Sequence, residues 1–182
     1  TEFKLDVDPT WTESVIADLV RETGVVTLDF KDAGDADLVR RLSARFPSVI
    51  FEDPPGGAWH GQIARDRALA SAADVDAALG RGEMVNLKIP RMGGPIELLE
   101  AIAMVQKRGG HPCYFGGMFE VGPGREQARQ LAAMFCGGSP NDLGPILGAM
   151  SPPRPRSPSW VRLDTVGFGA TCAWSQLVPS PL

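Results

Sequence analysis

An α/β fold of repeated strand–helix units around a parallel sheet is what this sequence predicts, and three observations predict it. Short β-branched or apolar runs recur along the chain. Each alternates with a stretch long enough to cross back over a sheet, and most of the runs start roughly twenty to twenty-five residues apart. Units of this kind with short connections favour a parallel sheet, either closed as a barrel or open and doubly wound, and periodicity alone does not choose between the two. The chain has 182 residues, 43% of them hydrophobic and 22% charged, which is enough apolar material for one sizeable core. A complete eight-fold barrel needs roughly 250 residues, so a barrel reading implies an incomplete one.

The strand candidates are Glu2–Leu5, Val25–Phe30, Ser48–Glu52, Gln62–Arg65, Met84–Ile89 and Pro112–Phe115. Thr10-Trp11-Thr12-Glu13 has the capping-box pattern, in which a hydroxyl and a carboxylate satisfy exposed N–H groups. Val15, Ile16, Leu19 and Val20 follow at helical spacing, and Gly24 ends the helix. Asp35 or Asp37 opens a second helix running through Leu38, Val39 and Leu42 to Phe46, where Pro47 forces extended backbone. A third begins at Ser71-Ala72-Ala73-Asp74. Pro95 suits the first turn of a fourth, with Ile96, Leu99, Ile102, Ala103 and Val105 as its buried stripe and Gly109-Gly110 as its stop. A fifth covers Arg125 to Phe135. The segment from Pro54 to Gly61 is too short and too rich in Gly and Pro for a crossover helix, so that unit is expected to be degenerate. Asn141-Asp142 either begins a last strand or makes a turn.

Beyond Met150 the prolines 152, 153, 155 and 158 interleave with arginine and serine and no apolar period follows. The chain is therefore read as a 1–150 (β/α) unit and a weakly ordered 151–182 tail. In an alternative reading, Trp160, Phe168 and Trp174 of the tail cover an apolar patch.

Composition narrows the function classes. The net charge of −4 and the lack of a basic run argue against nucleic acid as a partner. No apolar stretch approaches the roughly 20 residues that span a bilayer, and the first residues lack a signal-peptide layout, so the cytoplasm is the expected compartment. Cys113, Cys136 and Cys172 are odd in number and lack CxxC spacing, which fits reduced thiols. His60 and His111 are too isolated for a metal pair.

Parallel strands of this kind are buried on both faces, so an ionisable residue at a strand's C-terminal end needs a partner or a metal. Here Thr27-Leu28-Asp29, Ile50-Phe51-Glu52, Ile63-Ala64-Arg65-Asp66 and Asn86-Leu87-Lys88 each end in one. Asp29, Glu52 and Asp66 make a hard oxygen set suited to Mg²⁺. A metal on both oxygens of a substrate carboxylate stabilises the enediolate formed when the α-proton leaves, and a nearby lysine takes that proton. Taken one at a time, each carboxylate has a plainer reading as a helix cap or a rim ion pair.

The ordered series, together with Phe51-Glu52-Asp53-Pro54 and Val85-Asn86-Leu87-Lys88-Ile89-Pro90-Arg91-Met92-Gly93-Gly94, resembles the muconate-lactonizing and o-succinylbenzoate-synthase-like branch of the enolase superfamily. Phe115-Gly116-Gly117-Met118-Phe119-Glu120-Val121-Gly122 is similar to its glycine-rich seventh strand, and the likeness covers roughly Phe3 to Pro145. The resemblance implies an incomplete TIM-like (β/α) barrel of the enolase C-terminal-domain type, lacking the first strand and the cap domain. It also implies Lys4 and Lys88 as catalytic residues facing each other across a small carboxylate substrate, with Asp29, Glu52 and Asp66 holding Mg²⁺. Reactions of this branch begin with α-proton abstraction and end as dehydration, cycloisomerisation, racemisation or epimerisation.

The chain departs from the family pattern in three places. Lys4-Leu5-Asp6, or Glu2-Phe3-Lys4 in a shifted register, stands where Lys-x-Lys is usual, Lys31 where Asn commonly follows the third-strand Asp, and Arg67 where Glu often follows the fifth-strand Asp. A barrel short of a strand exposes unpaired edges and predicts association with another copy or with a cap domain. The alternative to an enzyme is a non-catalytic barrel remnant or a fragment of a longer protein.

Overall fold

The computed structural model describes residues 3–57, 59–109, 113–120 and 122–143, with backbone only for 122–123. His111, Cys172, residues 144–150 and the whole 151–182 tail with Trp160, Phe168 and Trp174 lie outside the described residues.

Six parallel strands pair in chain order: β1 (Phe3–Asp6), β2 (Val25–Asp29), β3 (Ile50–Glu52), β4 (Gln62–Arg65), β5 (Met84–Leu87) and β6 (Cys113–Phe115). This order decides between the two architectures left open by periodicity. A doubly wound sheet reverses its order at a switch point, whereas a barrel runs consecutively. The sheet also curls. Glu52 on β3 accepts hydrogen bonds from Tyr114 on β6 and Asn86 on β5 across its concave face. The chain after β6 forms a parallel bridge from Gly116 to Asp142, and the Asp142 carboxylate lies 3.1 Å from Lys4 on β1. The outermost described strands are thus tied together across the mouth of an α/β half-barrel, and Asn141-Asp142 begins strand pairing.

The helices lie on the convex side: α1 (Glu13–Thr23), α2 (Ala36–Arg45), α3 (Ala72–Gly80), α4 (Pro95–Lys107) and α5 (Gly122–Phe135). The cap of α1 is Thr12, whose hydroxyl accepts from Val15 N. Thr10 does not cap, because Asp8 takes both its N–H and its hydroxyl in a local turn. Gly24 ends the helix at φ 71, a left-handed conformation that a side chain would strain. Asp35 rather than Asp37 caps α2, Ser71 caps α3 reciprocally with Asp74, and Pro95 opens α4. Helix α5 starts at Gly122, three residues before the expected Arg125.

Among the described residues no helix joins β3 to β4, as the Gly- and Pro-rich segment predicted. Trp59 fills in for it, donating from Nε1 to Pro55 O at 3.0 Å and carrying the Arg65 guanidinium 4.9 Å above its ring.

Strand residues alternate between two environments. Outward-facing Leu28 and Phe51 pack with Ile16, Val39 and Leu42 in one core cluster, and Val85, Leu87 and Phe115 pack with Val75, Leu98 and Leu131 in another. Inward-facing Ile50, Ala64, Met84 and Tyr114 form a third cluster inside the curl. One step further along β3, β4 and β5 the inward positions turn polar, to Glu52, Asp66 and Asn86, and the site begins there.

Candidate metal and proton-transfer site

Register carries the inward row from strand to strand. Asp6 is opposite Asp29, and Asp29 is opposite Glu52. Asp66 and Lys88 follow directly after the ends of β4 and β5. Asp29, Glu52, Asp66, Asn86 and Lys88 are all buried. The sequence-predicted groups are therefore brought to one end of one concave face, the C-terminal end of the strands, where barrel enzymes hold their sites.

Lys4 Nζ lies 2.7 Å from Glu52 Oε1 and 3.1 Å from each of Asp29 Oδ2 and Asp142 Oδ2. Burial works to lower the pKa of Lys4, but the facing charges of Glu52 and Asp29 more than offset it, so its pKa is raised and it stays an ammonium. At the other end of the row, Lys88 Nζ lies 2.6 Å from Asp66 Oδ2, and Arg91 pairs with the other oxygen of Asp66. The two lysines flank the acids rather than meeting.

Glu52 is the most enclosed acid, with no exposed surface. Burial pushes its carboxyl up; the Lys4 ammonium offsets part of this, and the like charge of Asp29 adds to it. Tyr114 donates to Glu52 Oε2, and burial beside that carboxylate holds the phenol well above its usual range. Asn86 donates from Nδ2 to Glu52 Oε1 at 3.1 Å, while its own Oδ1 is buried without a hydrogen-bond partner. Gly116 keeps this space open, since a Cβ there would collide with Asn86 Oδ1 and Lys88 Cε.

Glu52, Asp53 and Asp66 offer carboxylate oxygens within 4.8 Å of one another, all three buried. Asp53 is absent from the set predicted from sequence, and Asp29 is absent from this one. The presence of Asp53 has a local cause. Asp53 sits at φ 41, and its carboxylate turns back to accept from Asp66 N at 3.1 Å and Arg67 N at 2.8 Å, fixing the turn that presents Asp66. The signal for it was an Asp directly before two prolines, a turn-forming context. Asp29 is engaged by cations: Lys4 and Lys31 both reach its Oδ2, and Lys31 N donates to its Oδ1 at 3.0 Å.

The donor set fits a hard divalent cation. Every candidate ligand is a carboxylate oxygen, the acids are shielded from water, and a buried amide oxygen, Asn86 Oδ1, lacks a donor beside them. Sequence reading missed Asp142 as a partner of Lys4 and Tyr114 and Asn86 as partners of Glu52, and all three come from segments distant in sequence from the group they bind.

A half-barrel of consecutive parallel strands is a fold that this chain shares with solved members of the enolase superfamily. Residues 1–147 match the family described as "Domain of unknown function (DUF8230) C-terminal domain", and the chain belongs to that family. The chain is 37% identical over 84 residues to an o-succinylbenzoate synthase of Enterococcus faecalis (strain ATCC 700802 / V583), a match covering 45% of this chain and 23% of that protein. A solved enolase-superfamily member from Enterococcus faecalis V583 superposes with a TM-score of 0.60 at 24% identity, over 79% of this chain and 43% of that one. A muconate lactonizing enzyme from Klebsiella pneumoniae gives 0.59 at 22% identity, over 74% and 44%. The chain spans less than half the length of these relatives. No helix among the described residues is long and apolar enough to cross a membrane.

Proposed function

We propose that this chain supplies the cation-binding part of an enolase-type barrel that removes a proton next to a carboxylate. One observation carries the reading: Asp29, Glu52 and Asp66 leave three successive strands on one concave rim, with Lys4 at one end of the row and Lys88 at the other. Glu52 and Asp66, with Asp29 or Asp53, would hold Mg²⁺. The bound ion would supply positive charge against the second negative charge that grows on the substrate carboxylate as the α-proton leaves.

The chain's own residues divide the remaining work. Lys4 faces Glu52, Asp29 and Asp142 on the rim, where its charge is suited to stabilising negative charge. Lys88, with Asp66 as its described partner, is the group assigned to take the proton. Tyr114 and Asn86 orient Glu52, and Gly116 leaves room for Lys88. The substrate class is a small carboxylate, and the outcome belongs to the dehydration, cycloisomerisation, racemisation or epimerisation set. The name of the curated relative, o-succinylbenzoate synthase, favours dehydration.

A second reading has its own observation. Each predicted acid already touches a lysine ammonium, as a barrel remnant with a purely structural ion-pair network would show. Calorimetric titration with Mg²⁺ separates the two. Saturable binding in the wild type that is lost in Glu52→Ala, with α-proton exchange into deuterated water that is lost in Lys88→Ala, is the expected result. Equal weak binding in wild type and Glu52→Ala would leave the remnant.

A further inference from the structure

Asp29 is the one sequence-predicted acid missing from the close carboxylate group, and both of its oxygens are held by one lysine. Lys31 takes Asp29 twice: its backbone N donates to Oδ1 at 3.0 Å and its Nζ to Oδ2 at 2.9 Å. Asp6 steadies the same ammonium from β1 at 3.0 Å. Lys31 and Asp32 adopt left-handed backbone at φ 52 and φ 58, which folds the chain after β2 back over the strand end and places the Lys31 amine on the rim.

We propose that Lys31 is a displaceable resident cation of the metal centre, occupying the side of Asp29 that a divalent ion must take. The inference rests on the metal-binding reading above. Two ammonium groups share Asp29 Oδ2, and they differ in how easily they leave. Lys4 is enclosed, with 13% of its side chain exposed and three carboxylates around it. The Lys31 side chain is 50% exposed, so its amine moves from the carboxylate into water at little desolvation cost. A divalent cation approaching Asp29 is repelled while the ammonium is in place and gains the carboxylate when it swings out. Metal binding in this chain is thereby coupled to a side-chain movement on the rim, and the wild-type affinity is set below what the acids alone would give.

The experiment measures free Mn²⁺ by its electron paramagnetic resonance signal during titration of the full chain, with no substrate and no turnover. Lys31→Asn removes the charge with a residue that tolerates left-handed φ, and Lys31→Gly does the same with no side chain, so one folded variant suffices. Lys31→Arg keeps the charge. Mn²⁺ affinity is expected to rise roughly tenfold or more in Lys31→Asn and Lys31→Gly, to stay near wild type in Lys31→Arg, and to show a smaller gap at high salt. Wild type binding Mn²⁺ as tightly as Lys31→Asn would overturn the role of Lys31 and leave the metal reading standing. Silence in every variant would overturn both. A silent wild type with a binding Lys31→Asn would support the proposal in its strongest form.

Discussion

Glu52 shows how one residue can be stabilised in position and disfavoured in charge at once. Its carboxylate has Lys4, Tyr114 and Asn86 as partners, yet burial and the neighbouring Asp29 leave its pKa raised in the folded state. A folded-state pKa above the unfolded value means that ionisation costs stability once the pH exceeds the unfolded value, and that the cost vanishes below it. Glu52→Gln keeps the shape and an acceptor for Lys4 while removing the charge. In metal-free buffer the variant is therefore expected to melt at a higher temperature than wild type near neutral pH, with the advantage fading as the pH falls into the carboxyl range, about 4 to 5. Thermal unfolding followed by circular dichroism across that range checks it. A variant less stable than wild type at neutral pH would show that Glu52 is there for folding. The converse result marks a residue kept for function at the expense of stability.

At the level of elements, Glu83 is the opposite case. It directly precedes β5 and binds the Arg65 guanidinium from β4 and the Arg81 guanidinium from the end of α3, with O–N distances of 3.0 and 2.7 Å. Burial opposes its charge, but the hydrogen bonds from Arg81 and Arg65 outweigh it and its pKa is lowered. A depressed folded-state pKa gives stability that is present above the unfolded value and lost as the pH falls through the folded one. Glu83→Gln is expected to cost roughly 1 to 2 kcal/mol near neutral pH, with wild type and variant converging in acid. Urea unfolding at several pH values measures it, and a penalty that persisted in acid would mean packing rather than charge is responsible.

The elements were largely legible because their signals are local: Ser71 with Asp74, Pro95 before an apolar stripe, and the Gly- and Pro-rich run that carries no helix. Boundaries moved where a local competitor intervened, as Asp8 did by capturing Thr10. The acid row was legible from the inward position at each strand end. Asp53 was not, because its side chain is spent on the backbone of the turn after a later strand, and Asp142 was not, because its partner Lys4 lies at the far end of the chain. Pairings across a barrel mouth leave no periodic trace in sequence.

The whole molecule divides along the strand pair that lacks a helix. On one side, α1 and α2 pack on β2 and β3 around Ile16, Val39, Leu42 and Phe51; on the other, α3, α4 and α5 pack on β5 and β6 around Val75, Leu98, Val85 and Leu131. The two clusters are separate, and the halves are joined by the β3–β4 ladder, by what lies inside the curl (Ile50, Ala64, Met84, Tyr114 and the hydrogen bonds that Glu52 accepts from Tyr114 and Asn86), and by rim contacts of Lys4 with Asp142 and of Asp53 with the backbone of Asp66 and Arg67. Tyr114 is the bulkiest member of that join and has no exposed surface. Tyr114→Ala removes its packing and its bond to Glu52 together, a loss of about 3 to 5 kcal/mol by the usual cost of an aromatic core truncation. The loss falls on the contact between halves rather than on either cluster, so it is expected to lower cooperativity as well as stability. In native-state hydrogen exchange, Leu28 on β2 and Val85 on β5 should open with a common free energy in wild type and with two distinct ones in Tyr114→Ala. A single shared value in the variant would show that the backbone ladder and the rim contacts couple the halves without Tyr114. The candidate metal ligands straddle this same join, Asp29 and Glu52 on one side and Asp66 on the other, so a cation held between them would bind the halves together. Adding Mn²⁺ should then return the two exchange classes of Tyr114→Ala toward one, through the free energy that ligation adds to the closed form.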